Sequence, residues 1–144
     1  MRFVRRCIDP SQEMLEQATA RNAMAIARGQ VGLRIASVER LPFEDNAFDK
    51  VLAINSMQLW PDSETGLAEI RRVMKVGAKI ALGFTIYSGQ QPSGLIERLT
   101  AAGFIEARLV EADKAICVLA VKPTEARDFA VPGKVAARGV GVVP

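Results

Sequence analysis

The chain opens with a strand that runs straight into a helix, and this arrangement narrows the available folds. The apolar run Phe3-Val4-Arg5-Arg6-Cys7-Ile8 ends in Asp9-Pro10-Ser11, and a long helical pattern follows. Asp9 or Ser11 can cap that helix, and proline is tolerated in its first turn. Met14, Leu15, Ala18, Asn22 and Ala25 fall on one stripe; the helix is expected to reach about Arg28, with Gly29 as its stop. Val31, Leu33 and Ile35 then alternate with Gly32, Arg34 and Ala36, which predicts a strand.

The same alternation continues downstream. Leu41-Pro42-Phe43-Glu44-Asp45-Asn46 reads as a loop, and residues 50–55 as a buried strand around Val51-Leu52-Ala53-Ile54. Trp60-Pro61-Asp62-Ser63 opens a second helix, capped by Asp62 or Ser63, with Leu67, Ile70, Val73 and Met74 as its apolar stripe. Gly77 turns the chain into a strand over 79–85. A loop at 88–94, a helix from about 93 to 102 and a stop at Gly103 follow. Strands over 105–111 and 115–122 turn at 112–114. Strands alternating with helices, then a terminal hairpin, predict an α/β fold with a largely parallel sheet and an antiparallel edge.

Residues 1–123 form the expected domain. From Phe129 to Pro144 there is no acid, and Pro132, Gly133, Gly139, Gly141 and Pro144 break any period, so 124–144 is expected to be a mobile tail. A length of 144 residues suits one domain with a real core. With 49% hydrophobic and 24% charged residues, the composition is that of a soluble globular protein. No apolar run reaches membrane-span length, and the N-terminus lacks a signal-peptide block, so no membrane and a cytoplasmic location are expected.

The net charge of +3 is not a nucleic-acid signature. Arg2, Arg5, Arg6, Lys134 and Arg138 lie in end segments; without those five of the 19 basic residues, 14 stand against 16 acids. No basic stripe interleaves with aromatics, and no nucleic-acid partner is expected. Cys7 and Cys117 have neither metal nor redox spacing and read as reduced core cysteines. The absence of histidine excludes Ser-His and Cys-His nucleophile pairs and most zinc sites; no metal is expected.

Five patterns in order carry a family resemblance: Ile8-Asp9-Pro10-Ser11 with Met14-Leu15 and Ala18; Leu41-Pro42-Phe43; Phe48-Asp49 before a strand; Arg71-Arg72-Val73-Met74-Lys75 followed by Gly77; and the run from Leu95 through Gly103-Phe104 into the hairpin. Together they cover roughly residues 3–122 and resemble class I S-adenosyl-L-methionine (SAM)-dependent methyltransferases, particularly the small-molecule group related to ubiquinone-biosynthesis enzymes. The resemblance implies a Rossmann-like sheet ordered 3-2-1-4-5-7-6, in which the strand ending at Ile8 is the family's second. The family's first strand, glycine-rich turn and first helix have no counterpart here: eight residues precede Asp9, and none is glycine. Their absence predicts a gap between the second and fourth strands. The sheet could close by pairing those two strands; a second chain could fill the gap; or the product could begin upstream of Met1. The resemblance also places Cys7 and Cys117 on well-separated strands, which would exclude a disulfide.

The resemblance further implies that Asp9 holds the ribose of SAM, its carboxylate accepting both hydroxyls; a helix cap needs the same residue at the same place. Pro10 would offer an apolar edge to the adenine. Ser37 stands where many relatives carry an aspartate for the adenine amino group and would accept more weakly; an ordinary strand-end serine fits equally well. Val38 would offer its backbone N–H. Asn55 ends a strand beside the family's methyl-transfer position and would bond the methionyl part or a substrate, or cap the turn. Asn55-Ser56-Met57-Gln58 departs from the Asn-Pro-Pro-Tyr pattern of nucleic-acid amino-group methylation, and Gln58 stands near a histidine of many relatives. Phe43 and Phe48 read as packing residues, and Trp60 as packed at the start of the second helix rather than lining a pocket. Tyr87 and residues 88–94 lie where the family builds its substrate lid. Lys75-Val76-Gly77-Ala78 departs from the usual Lys-Pro-Gly-Gly.

Two functions fit. The first is methyl transfer from SAM to a small-molecule acceptor, with no catalytic residue assignable. The second is an inactive, truncated remnant that works as an interaction module or homodimer through its exposed central sheet edges. A nicotinamide-binding domain shares the acid after the second strand but lacks the later motifs.

Overall fold

The computed structural model describes residues 4–124 and the backbone of residues 141–143. Strands β1 (Arg5–Asp9), β2 (Val31–Ile35), β3 (Phe48–Ile54), β4 (Met74–Thr85), β5 (Ile105–Ala112), β6 (Ala115–Val121) and β7 (Gly141–Val143) form one sheet. Its order is β2-β1-β7-β3-β4-β6-β5. Helices α1 (Gln12–Arg21) and α2 (Ala23–Ala27) link β1 to β2, α3 (Ser63–Val73) links β3 to β4, and α4 (Leu95–Ala101) links β4 to β5. β1 and β2 are parallel, as are β3 and β4, while β6 runs antiparallel to both β4 and β5. The α/β sheet with an antiparallel C-terminal hairpin is therefore the observed fold.

β7 corrects the expectation of a mobile tail over 124–144. Gly141–Val143 pairs antiparallel with Arg6 and Cys7 of β1 on one side and with Lys50, Val51 and Leu52 of β3 on the other. The expected gap is closed by a fourth route, the other end of the same chain. The reason lies in the backbone: two buried edges each present unpaired N–H and C=O groups, and a short proline-free segment with two β-branched residues answers both. Central edges open to a second copy are corrected as well, because β1 and β3 have strand neighbours on both sides and the outer strands are β2 and β5. Residues 125–140 lie outside the described residues.

The core fills one face of the sheet. Val51 and Ala53 of β3, Ile80, Leu82 and Phe84 of β4, and Val118 and Ala120 of β6 meet Leu67, Ile70 and Val73 of α3 and Leu95 and Leu99 of α4. The α3 stripe is the expected one, and Asp62 caps the helix: its Oδ1 accepts from the Thr65 N–H at 3.3 Å and its Oδ2 from the Thr65 hydroxyl at 2.7 Å. Two elements differ from expectation. The first helix breaks at Asn22, whose Nδ2 donates to the Ala18 carbonyl at 2.8 Å and competes with the helical ladder. β4 begins at Met74 rather than at residue 79, because Gly77, at φ +79°, allows a bulge inside the strand. The Gly77 N–H there donates to the Lys122 carbonyl at 3.0 Å. Cys7 and Cys117 are free thiols on β1 and β6, with three strands between them.

Candidate nucleotide site at the carboxyl edge

Asp9, Ser37, Val38 and Asn55 all stand at or just beyond the carboxyl ends of the parallel strands β1, β2 and β3. Asp9 faces Ile35 across β1 and β2, and the Ala36 N–H donates to the Asp9 carbonyl at 3.2 Å. Through β7, Cys7 is level with Leu52, so Asp9 is level with Ile54 and next to the level of Asn55. β1 and β3 are two strand spacings apart, about 10 Å. Crossovers from β1 and β3 lead to opposite flanks of the sheet, which makes this crevice the topological switch point where such folds bind ligands.

The structure separates the two roles that the sequence left joined at Asp9. Ser11 is the helix cap, its Oγ accepting from the Met14 N–H at 3.3 Å. The Asp9 Oδ1 accepts from the Ser11 N–H at 2.8 Å, which fixes the carboxylate rotamer. Among the described residues, no hydrogen bond is made by Oδ2, so one oxygen orients the half-buried group and the other is left without a partner. Pro10 is exposed beside it. Ser37 is half-buried, and its carbonyl accepts from the Arg40 N–H at 3.1 Å. Val38 is fully buried, backbone included, and belongs to the core.

Asn55 is held more tightly than expected. Its Nδ2 donates to the Thr85 hydroxyl at 3.0 Å, and its Oδ1 accepts from the Thr85 N–H at 2.8 Å. This bridge ties together the carboxyl ends of β3 and β4. It also steadies a backbone at φ +49°, a left-handed conformation that asparagine tolerates better than most residues. Sequence reading missed Thr85, although it ends β4 much as Asn55 directly follows β3. In the turn after Asn55, Gln58 Nε2 donates to the Asn55 carbonyl at 3.0 Å, while Gln58 Oε1 is buried with no partner among the described residues. A buried acceptor without a donor is costly, and a ligand donor would relieve it.

The surroundings divide into packing and open surface. Trp60 is buried against Gly66 and Val38, in agreement with its packing reading. Phe43 and Phe48 meet edge to face at 5.0 Å between ring centroids. The loop that carries Phe43 is clamped by Arg72, the second arginine of its motif. Arg72 Nη1 donates to the Phe43 carbonyl at 2.9 Å and to Asp45 at 2.7 Å, and Nη2 donates to the Leu41 carbonyl at 3.1 Å. Glu69 holds the guanidinium by two bonds of 2.7 and 2.8 Å and also accepts from the Leu41 N–H at 2.9 Å. These hydrogen bonds push the Arg72 pKa further up and keep it charged. Tyr87, at 88% exposure, stands in the turn after Thr85. Burial pushes the Cys7 thiol up, partly offset by Arg5. Among the described residues no cluster of His, Cys, Asp or Glu could hold a metal ion, and no helix is long and apolar enough to cross a membrane.

A Rossmann-like sheet with an oriented acid at its switch point defines a class of nucleotide-dependent enzymes. The chain belongs to the methyltransferase-domain family, which it matches over residues 5–82, more than half its length. Among curated relatives, the uncharacterized methyltransferase YdaC of Bacillus subtilis (strain 168) is 29% identical over 131 residues, covering 81% of this chain and 68% of that protein. The ubiquinone/menaquinone biosynthesis C-methyltransferase UbiE of Geotalea daltonii is 31% identical over 75 residues, covering 52% of this chain and 32% of UbiE. For several curated relatives this chain spans less than two thirds of their length. A solved SAM-dependent methyltransferase from Aquifex aeolicus shares the fold, with a TM-score of 0.72 at 20% identity, over 81% of this chain and 68% of that one. The cyclase SpnF shares it too, at a TM-score of 0.68 and 17% identity, over 82% of this chain and 65% of that one. The fold alone therefore does not set the reaction.

Proposed function

We propose that this protein binds SAM at the carboxyl edge of β1–β3 and directs methyl transfer to a small-molecule acceptor in the cytoplasm. The observation that carries the reading is Asp9: it stands at the switch point, the Ser11 N–H holds one carboxylate oxygen, and the other has no hydrogen-bond partner among the described residues. Family membership and the likeness to SAM-dependent enzymes support it.

The adenosyl half of the cofactor fits the residues present. Asp9 Oδ2 would accept from the ribose hydroxyls, Pro10 would flank the adenine, and Ser37 would accept from its amino group, while the buried Val38 would reach the ring with its N–H only if the turn around it shifted. Asn55 is committed to Thr85, so its part is to hold the β3 and β4 ends; its remaining amide hydrogen would reach the methionyl end. The unpartnered Gln58 Oε1 offers an acceptor for an ammonium or hydroxyl there. When bound, SAM supplies an electrophilic methyl on a sulfonium, so the chain's task is mainly in-line placement of the acceptor. Such a task needs no histidine.

Calorimetric titration with S-adenosylhomocysteine tests the cofactor reading. Saturable binding is expected for the wild type and its loss in Asp9→Ala, with both proteins equally folded by circular dichroism. A folded wild type that does not bind would sink it. A second reading, an interaction module without turnover, is favoured by one observation: β7 stands between β1 and β3, where the family carries its first strand and glycine-rich turn. Radiolabelled methyl transfer into a metabolite extract separates the two; binding without transfer would support the second.

A further inference from the structure

We infer that the outer face of strands β3, β4, β6 and β5, on the flank opposite α3 and α4, is a docking surface for an acidic amphipathic helix of a partner protein. The inference goes beyond the cofactor reading and does not depend on it.

The face follows from strand alternation. Val51 and Ala53 of β3, with Ile80 and Leu82 of β4, are buried in the core with α3 and α4. Their neighbours Leu52, Ile54, Ala81 and Gly83 therefore lie on the other face, where Leu52 and Ile54 are exposed. Pairing carries this face across the sheet: Leu52 is level with Ala81, Ala81 with Leu119 of β6, and Ile54 with Gly83. Val110 of β5, also exposed, continues it beside Cys117. Helices α1 and α2 lie against β1 and β2, and no described α-helix packs over the outer face of β3, β4, β6 and β5. An apolar sheet face left open in this way marks an interaction site.

The shape suits a helix. Along its centre β4 presents only Ala81 and Gly83, and a side-chain carbon built on Gly83 would meet nothing closer than the Ile54 side chain at 3.6 Å. Leu52 and Ile54 on one side and Leu119 on the other flank this floor. β3 and β6 are two strand spacings apart, about 10 Å, the width of one helix. From Lys79 to Thr85 β4 runs about 20 Å, the length of a helix of roughly 14 residues. Laying the apolar stripe of a helix into such a groove is a common mode of recognition.

The charge suits an acid. Lys50 and Lys79 stand directly opposite each other at the amino end of this face, and Arg108 stands one level further along, opposite Leu119. None of them makes an ion pair or hydrogen bond with a described residue. Like charges on facing strand positions repel, and an acidic side chain laid between them turns that cost into attraction. The other occupants match less well. A second copy laid face to face brings the same cations again. Residues 125–140 of this chain carry Glu125 and Asp128 against Arg127, Lys134 and Arg138. A flat lipid surface leaves the floor at Ala81 and Gly83 unfilled.

Two synthetic helical peptides test this against the full chain. Each has roughly 14 residues and the same leucine stripe; glutamate flanks the stripe in one and lysine in the other. By fluorescence anisotropy the glutamate peptide should bind the wild type at least about tenfold more tightly than the lysine peptide. The double variant Lys50→Glu/Lys79→Glu, with a wild-type circular dichroism spectrum, should reverse that order. If the double variant does not fold, Arg108→Glu alone should weaken the glutamate peptide and strengthen the lysine peptide. Hydroxyl-radical footprinting of the wild type with the glutamate peptide should show Leu52, Ile54 and Val110 becoming shielded. No binding of the glutamate peptide, equal binding of both peptides, an order unchanged in the folded variant, or shielding elsewhere on the chain would overturn the inference. Leu52 and Ile54 already shielded in the free monomer would overturn it in favour of residues 125–140. A concentration-dependent dimer in sedimentation that shields them would do so in favour of a second copy. Binding to phosphatidylserine–phosphatidylcholine vesicles without binding of the glutamate peptide would do so in favour of a membrane.

Discussion

The two blocks of this sheet on either side of β7, β2-β1 and β3-β4-β6-β5, are built to different densities. In the first, α1 buries only Leu15, α2 buries nothing, and no residue of β2 is buried. In the second, α3 buries Thr65, Gly66, Leu67, Ile70 and Val73, and β4 buries Met74, Ala78, Ile80, Leu82 and Phe84. Asp9 and Ser37, which face the adenosyl half of the proposed site, ride on the sparse block, while Asn55 and Thr85 stand on the dense one. Low local contact density goes with local opening at low free energy. The contrast therefore predicts a site whose frame is rigid on the Asn55 side and compliant on the Asp9 side.

The strongest way to break this comparison is a matched pair of truncations. Ile70→Ala, in the dense block, should cost about 2–5 kcal/mol in urea denaturation, the range for emptying a fully buried aliphatic site. Met24→Ala, on α2 at 69% exposure, should stay within about 0.5 kcal/mol. Equal losses would erase the distinction. Arg72→Met should come next, at roughly 1.5–3 kcal/mol, because the Leu41 and Phe43 carbonyls lose a charged donor. It should also speed amide exchange around residues 41–46. A loss as small as that of an exposed surface arginine would show that the clamp does not hold the loop.

Ser11→Ala sharpens the view of the sparse block. It removes the α1 cap, at about 1 kcal/mol, while leaving the Ser11 N–H on Asp9. S-adenosylhomocysteine affinity should change little; a loss as large as that of Asp9→Ala would make the cap, rather than the carboxylate, the binding determinant. The smallest expected effect is a slope. Lys122 is buried, with Nζ donating to the Met74 carbonyl at 2.7 Å and to Asn46 at 3.0 Å, and burial pushes its pKa below 10.5. The unfolded chain then holds that proton more tightly than the folded one, so this residue makes stability rise as pH climbs toward 10.5. The raised thiols of Cys7 and Cys117 act in the opposite sense above pH 9.0. Both thiols are common to wild type and Lys122→Met, so the difference between the two proteins isolates the lysine. That difference should shift in favour of the wild type with rising alkaline pH, and a flat difference would refute it.

Much of the dense block was legible from sequence because its signals are local. Asp62 as a cap, the Leu67–Ile70–Val73 stripe and the stop at Gly103, with its φ of +91°, each rest on a few neighbouring residues. The sparse block was harder to read. Met14, Leu15 and Ala18 share a helical stripe, yet Met14 is 53% exposed, because amphipathic spacing states which face could be buried and not whether anything covers it. At the candidate site, Asp9 and Asn55 were visible as strand-end polar residues. The Thr85 bridge and the Ser11 N–H that orients Asp9 depend on rotamers and on which strand ends become neighbours. The Arg72 clamp explains why the Leu41-Pro42-Phe43 and Arg71-Arg72 motifs occur together: one grips the backbone of the other across some thirty residues of sequence.

The sequence by itself determined the order of strands and helices, the caps that bound them and the polar residues available at the carboxyl ends. Only the tertiary structure decided what stands between β1 and β3. The described residues of this strand, Gly141–Val143, are too few to show a period, and their partners lie 89 or more residues away along the chain. Its place follows from two facing rows of backbone donors and acceptors that had to be satisfied, a demand that exists only once the rest of the sheet has formed.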